Sequence, residues 1–386
     1  MCSLEQLETI IPEPVRWPID GSDPKSAAWH WHAAFGVQRN DTWLSPSSYR
    51  WLFMPPRGPN GTWAEPLPSL KDEFEASQFL QAEGYRYIFQ SNRRARWHRS
   101  AVAIWTLNEP FPNAAHGCIF DYSGHPKHAF YLSQESLAPL DVSIRYDRIW
   151  SRAGVAINAT VHIDDEGPRG AGEQGPVVVA EAWSAQRGKL LHTQTWSLPS
   201  LESQVVTEVG RLNYAPPLEM VGDTVLLLLE ARASTDCDSS SVAGCVLSRH
   251  SYTFGVAAPP NASNASPVGD DVVAPLAALR AANTTCVVIS GTRNVTVRNT
   301  GANIAVNVKL SAYGDGDTQS SRALGWVAFD ANYFSLRPGE TRYVQLLQLG
   351  WYQKVSRVGV SSWNQLCSSS SGGRSMMEDA ESNTWP

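Results

Sequence analysis

No stretch of this 386-residue sequence approaches the roughly 18 consecutive apolar residues of a membrane-spanning helix. The longest apolar run, Val225 to Leu229 (VLLLL), has the length of a buried strand. The opening residues, MCSLEQLETIIPEP, lack the basic region followed by an apolar one that marks a secretory signal peptide. Lysine and arginine are scattered and the net charge is −6, so the clustered basic residues of a nucleic-acid surface are missing. Neither a membrane nor a nucleic acid is therefore expected as a partner. Charged residues make up only 18% against 42% hydrophobic, which excludes disorder over most of the length. Six cysteines (Cys2, Cys118, Cys237, Cys245, Cys286 and Cys367) show no metal-ligand spacing. No metal ion and no cofactor is expected.

Tryptophan, by contrast, is abundant, with 15 in the chain. Flat aromatic faces stack on the C–H faces of sugars, although core packing accounts for many tryptophans equally well. Asn-x-Ser/Thr sequons begin at Asn40, Asn60, Asn158, Asn261, Asn264, Asn283 and Asn294, more than chance usually supplies. They point to a secreted protein or one of the lysosomal or vacuolar lumen. A lumenal body without an export signal implies that a front end precedes it. In an oxidising compartment Cys237 and Cys245, flanking the polar turn DCDSSSVAGC, are a candidate local disulfide; two free thiols are the alternative.

Two regimes meet near residue 135. Before it, helical and buried-strand patterns alternate. DEFEASQFLQAEGYRYIFQSNRRARWHR (72–99) places Leu80, Gly84, Tyr87 and Ile88 on one helical face, with basic residues gathered at the end favoured by the helix dipole. SAVAIWTL (100–107) is continuously apolar, as a parallel strand covered on both faces would be. A turn-rich loop follows, and then PKHAFYLSQESL, a helix opening on proline. This is the βα rhythm of a barrel or open α/β sheet.

After residue 138 short strands with period-two alternation take over. In GVAINATVHID (154–164), Val155, Ile157, Val161 and Ile163 share one face, which leaves Asn158 on the solvent side. The chain then divides into an α/β portion (1–134), an immunoglobulin-like β-sandwich (135–257), a linker (258–275), a second β-sandwich (276–363) and a polar, disordered tail (364–386).

Residues 101–113, AVAIWTLNEPFPN, carry the chemistry. Residues at the C-terminal end of a barrel strand face the active site, which is where Trp105, Asn108 and Glu109 fall. Glu109 as the general acid of a glycosidase is the sharpest reading, but arithmetic opposes it. A complete (β/α)8 barrel takes about 250 residues, and too few lie between Glu109 and the first sandwich strand to build one. SAVAIWTL reads better as a last barrel strand. His30 and His32 in AAWHWHAAFG have a spacing that suits a packed loop better than a metal site.

The stretch AIWTLNEPFPNAAHGCIFDYSGHPKHAFYLSQESLAPLDVSIRYD (103–147) resembles the barrel–sandwich junction of glycoside hydrolase family 2, in particular its β-mannosidase-like branch. It matches the pattern at Trp105, Asn108, Glu109, Pro112, Asn113, Asp121, Tyr122, Gly124 and Lys127, and departs from it at Phe111 and Phe130. Residues 79–97 resemble the preceding helix, and 329–340 the terminal sandwich. SLEQLETIIPEP (3–14) resembles the segment just after the nucleophile, a glutamate in a Ser-Glu-x-Gly-like turn. The resemblance implies the C-terminal part of a retaining exo-glycosidase releasing terminal β-D-mannose from an oligosaccharide. Both carboxylates of that mechanism would lie upstream, so this chain would hold no catalytic residue and be inactive alone. Trp105 would wall the sugar pocket, with Asn108 and Glu109 bonding sugar hydroxyls or bracing the carboxylates. Asp121 and Lys127 would fix the loop and helix. Another β-exo-glycosidase of the family, of glucosaminidase or galactosidase type, is the alternative, and a non-catalytic carbohydrate-binding β-sandwich protein a third.

Overall fold

The computed structural model describes residues 1–18, 27–32, 67–167, 174–234, 246–259, 276, 279, 285–314, 323–350 and 354–364. Three short helices, α1 (Leu4–Ile10), α2 (Glu13–Arg16) and α3 (Ala27–His32), precede the long α4 (Leu70–Arg94) and then α5 (His128–Ser136). Ser69 caps α4 by accepting the Asp72 N–H, and Asp72 and Glu73 complement the dipole in its first turn.

The first sandwich sets β1 (Leu140–Tyr146), β3 (Ala159–Asp165) and β6 (Val206–Arg211) against a five-stranded sheet. That sheet runs β2 (Trp150–Arg152), β8 (Val246–Ala257), β7 (Thr224–Arg232), β4 (Val177–Ser184) and β5 (Leu190–Ser197). All pairings are antiparallel except β2 with β8. The alternation of β3 places Val161 and Ile163 in the core between the sheets, and Ile157 joins them from just before the strand. Val155 lies before the strand and is exposed. The run VLLLL occupies β7, where both faces are covered. Val225, Leu227 and Leu229 face the sandwich core, while Leu226 and Leu228 belong to a separate buried cluster behind it that also holds Leu7, Trp29 and Phe74 of the helical portion. Burial of each such leucine contributes roughly 2 kcal/mol.

The second sandwich opposes β12 (Val327–Phe329), β14 (Thr341–Gln348), β10 (Asn294–Asn299) and β9 (Val287–Ser290) to β13 (Phe334–Leu336), β11 (Ala305–Gly314) and β15 (Val355–Ser361). The fold class is thus the expected one, an α/β portion followed by two immunoglobulin-like sandwiches. The linker and tail expected at 258–275 and 364–386 fall almost wholly outside the described residues.

Two local expectations are corrected. Helix α4 buries the face carrying Phe74, Gln78, Gln81, Ala82, Tyr85, Arg86, Phe89 and Arg93; of the expected face Leu80 is half-buried against the core, while Gly84, Tyr87 and Ile88 are exposed. Polar groups win that face because each is given a partner. Arg93 donates to Asp164 of β3 at 2.7 Å and to the Ser136 and Ala138 carbonyls at 2.8 and 2.6 Å, tying α4, the end of α5 and the first sandwich together. The arginines at the end of α4 therefore act as a clamp in addition to complementing the dipole. Residues 100–107, in turn, form no strand and bend at Trp105 and Leu107, and Val102, Trp105 and Leu107 are exposed. A strand needs a backbone hydrogen-bonding neighbour along its length, and among the described residues the segment finds one only at its end, where the Leu107 carbonyl accepts the Ile119 and Phe120 N–H groups.

Candidate functional site

The loop after residue 107 is positioned from both sides. The Ile119 and Phe120 N–H groups donate to the Leu107 carbonyl at 3.2 and 3.0 Å, and the Lys127 N–H donates to the Ile119 carbonyl at 2.9 Å. From α4, Gln81 donates to the Gly117 and Cys118 carbonyls at 2.8 and 2.9 Å, and the Tyr85 hydroxyl donates to Gly117 at 2.7 Å. Gln78 accepts the His128 N–H at 3.1 Å, capping α5 from outside because its own N-cap residue, Lys127, makes no such bond. Lys127 is thereby free to point inward.

The loop splits the three expected site residues. Trp105 is 75% exposed, and the peptide that follows it is cis. Asn108 is exposed, its side-chain amide 3.4 Å from the Glu109 carbonyl. Glu109 turns inward and is 2% exposed. Its Oε1 lies 3.3 Å from Lys127 Nζ, and its Oε2 is 3.6 Å from His116 Nδ1. The same His116 Nδ1 is 3.0 Å from Cys118 Sγ, which also meets the Thr106 hydroxyl at 2.8 Å. Burial lowers the His116 pKa and raises that of the Cys118 thiol, because each charged form would lose its hydration. The polar partners of Glu109 are thus a lysine and a histidine, the wrong company for a retaining glycosidase, which pairs two carboxyl groups about 5 Å apart.

Beside this cluster lies a charged latch. Asp121 accepts the Ser3 N–H and hydroxyl at 3.2 and 2.5 Å, and the His125 N–H at 2.8 Å. His125 Nδ1 reaches Asp121 Oδ2 at 3.0 Å, while Nε2 donates to the Ala323 carbonyl at 2.8 Å. Both ring nitrogens face acceptors, so only the imidazolium satisfies both. Burial opposes charge on each partner, but their mutual hydrogen bond and attraction outweigh it: the Asp121 pKa is lowered and that of His125 is raised. A cavity nearby, lined by Ser3, Gln78, His125, Lys309 and Tyr333, encloses about 50 Å³, room for a water or two but not a sugar ring.

The remaining expectations divide by position. Asn158 is exposed and donates to Asp147 at 2.6 Å, and Asn294 is exposed at the start of β10. Asn40, Asn60, Asn261, Asn264, Asn283, Cys237 and Cys245 lie outside the described residues. His32 Nδ1 donates to the Pro112 carbonyl at 2.6 Å, the role of a packed loop histidine. Cys286 is disulfide-bonded, whereas Cys2 and Cys118 are free. His116 and Cys118 escaped the sequence reading; their signal was His-x-Cys seven residues after Glu109 in a loop dense in turn residues.

No protein-family model matches the chain, and no curated protein matches it in sequence. Solved structures do match in fold. One is the Amycolatopsis orientalis exo-chitosanase CsxA in complex with PNP-β-D-glucosamine, with a TM-score of 0.66 at 17% identity over 95% of this chain and 40% of that one. Another structure of that protein, described as the exo-β-D-glucosaminidase CsxA, gives 0.65 at 17% identity over the same shares. A β-D-mannosidase from Dictyoglomus thermophilum gives 0.59 at 13% identity over 94% of this chain and 36% of that one. The chain therefore spans less than half the length of these enzymes. What it shares with them is the fold, one carried by solved exo-glycosidases.

Proposed function

We propose that this chain is the C-terminal part of a retaining exo-glycosidase of the β-mannosidase type, which releases terminal β-D-mannose from oligosaccharides in a secreted or lumenal setting. The observation that carries the reading is the apolar segment 100–107, paired among the described residues only at Leu107 and with Trp105 open near its end, in a chain whose fold is that of larger exo-glycosidases. Preceding barrel strands would pair with this segment, bury its apolar side chains and bring both carboxylates to Trp105. Trp105 then offers a face for the sugar, Asn108 offers hydrogen bonds, and Glu109 braces the loop from beneath. The exposed sequon residues Asn158 and Asn294 suit glycosylation on the secretory route. A glucosaminidase specificity is the second reading, favoured by the higher TM-score to the exo-chitosanase, 0.66 against 0.59.

The experiment is an assay with p-nitrophenyl β-D-mannoside and β-D-glucosaminide. Residues 1–386 alone are expected to turn over neither. The same chain joined to the polypeptide encoded immediately upstream is expected to cleave the mannoside. Preference for the glucosaminide selects the second reading. Turnover by residues 1–386 alone, or an upstream frame without a Ser-Glu-x-Gly turn, overturns the proposal.

A further inference from the structure

Three potential ligand atoms of differing softness converge beneath the Trp105 loop: the hard Glu109 Oε2, the borderline His116 Nδ1 and the soft Cys118 Sγ, all within 4.8 Å of one another. Glu109 and Cys118 are 2% and 0% exposed, and Glu109 Oε2 is a buried carboxylate oxygen without a hydrogen-bond partner. An orphaned carboxylate oxygen in the interior is costly and calls for an occupant.

We propose that Glu109, His116 and Cys118 form a binding site for a divalent transition metal of the zinc class. The spacing suits it. Zinc bonds of ~2.3 Å to sulfur and ~2.0–2.2 Å to nitrogen or oxygen, at tetrahedral angles, place ligand atoms roughly 3.3–3.6 Å apart. Here Nδ1 is 3.0 Å from Sγ and 3.6 Å from Oε2, so small rotations complete the geometry. Both separations are to the same imidazole nitrogen. A catalytic relay through histidine would need its two partners on opposite nitrogens, whereas a chelate needs them on one. A thiolate and an imidazole select zinc-like ions over magnesium or calcium, which prefer all-oxygen sites.

Lys127 is compatible with the ion because it occupies the other carboxylate oxygen, Oε1, and the His116 carbonyl, both at 3.3 Å. It orients Glu109 as an outer partner orients a ligand. Binding displaces the Cys118 thiol proton to solvent, and thiolate plus carboxylate then balance the ion's two charges. Thr106 Oγ1, 2.8 Å from Sγ, stands beside the fourth position, which a water fills. His116 is only partly buried and gives the ion its way in. The occupied site would staple the strand-end loop to residues 116–118, independently of any glycosidase activity.

The test uses the whole chain, stripped with a chelator and titrated with Co²⁺. The expected result is one bound ion per chain, with a thiolate-to-cobalt charge-transfer band and the intense visible bands of a four-coordinate ion, both lost on adding Zn²⁺. Cys118→Ser should abolish the charge-transfer band, and Cys2→Ser should leave it intact. His116→Ala, read in a chain shown by its melting to be folded, should weaken Co²⁺ binding by about tenfold or more. No band with excess Co²⁺ in a folded chain overturns the proposal. So does a band that survives Cys118→Ser, or unchanged affinity in His116→Ala.

Discussion

Lys127 Nζ lies 3.3 Å from Glu109 Oε1, and the two side chains are 2% and 0% exposed. This buried pair turns the glutamate of the Asn-Glu-Pro sequence away from solvent, while Trp105, four residues earlier, stays outside. The loop therefore has an inner face built for anchoring and an outer face left open.

Removing one partner of that pair should be expensive. Lys127→Met leaves a buried carboxylate without its ammonium, at a cost of about 3–5 kcal/mol. Adding Glu109→Gln should recover most of the loss. Urea unfolding midpoints of the two variants check this, and equal midpoints would show that the pair is not coupled.

A second buried network joins the sandwiches. Glu230 of β7 receives Arg337 at 2.8 Å and Arg249 at 2.7 Å. Burial works against its charge, but Arg249 and Arg337 outweigh that and hold its pKa down to about 2 from the ordinary 4.5. A depressed carboxylate contributes stability that is complete above its unfolded pKa and fades as pH falls from about 4.5 toward 2. Over that window the contribution is roughly 3 kcal/mol. Melting temperature against pH should fall across this range, and more shallowly in Arg337→Met.

The His125–Asp121 latch has the opposite pH sense on its histidine side. The His125 pKa is raised above 6.5, so its contribution is complete below the unfolded value and lost as pH rises through the folded one. Melting temperature should therefore drop as pH rises above about 6.5. His125→Gln, which cannot take the charge, should flatten that limb.

Trp105→Ala should change the stability of this chain by less than about 0.5 kcal/mol, because the ring is 75% exposed. Under the proposed function, the same substitution in a chain completed by a barrel should raise KM for the glycoside. Thermal melting of the first and kinetics of the second separate a binding role from a packing one.

Gly124→Ala meets two obstacles at once. Gly124 has φ +81°, and an added Cβ would land inside the Trp326 ring. A destabilisation of roughly 2–3 kcal/mol is expected, combining left-handed strain with displacement of the indole. Denaturant unfolding measures it.

The strands of both sandwiches were legible because alternation is a local signal. VLLLL announced a buried strand, and β7 is one, covered on both faces. Local signals failed where a partner decides the outcome. The buried face of α4 is polar because Arg93, Gln81 and Tyr85 each find a carbonyl or carboxylate far away in the chain, which no helical periodicity encodes. Residues 100–107 have strand composition, yet among the described residues only Leu107 finds backbone partners, because pairing is decided by neighbours and not by the segment itself.

Composition and spacing alone determined that an α/β portion is followed by two β-sandwiches, because the alternation of a strand is written in its own side chains. They also singled out the loop from Trp105 to Glu109. Only the tertiary structure decided that Glu109 points inward to Lys127, and that His116 and Cys118 meet it. Those contacts depend on how α4 and the loop after residue 107 pack, a relationship between segments that no single segment carries.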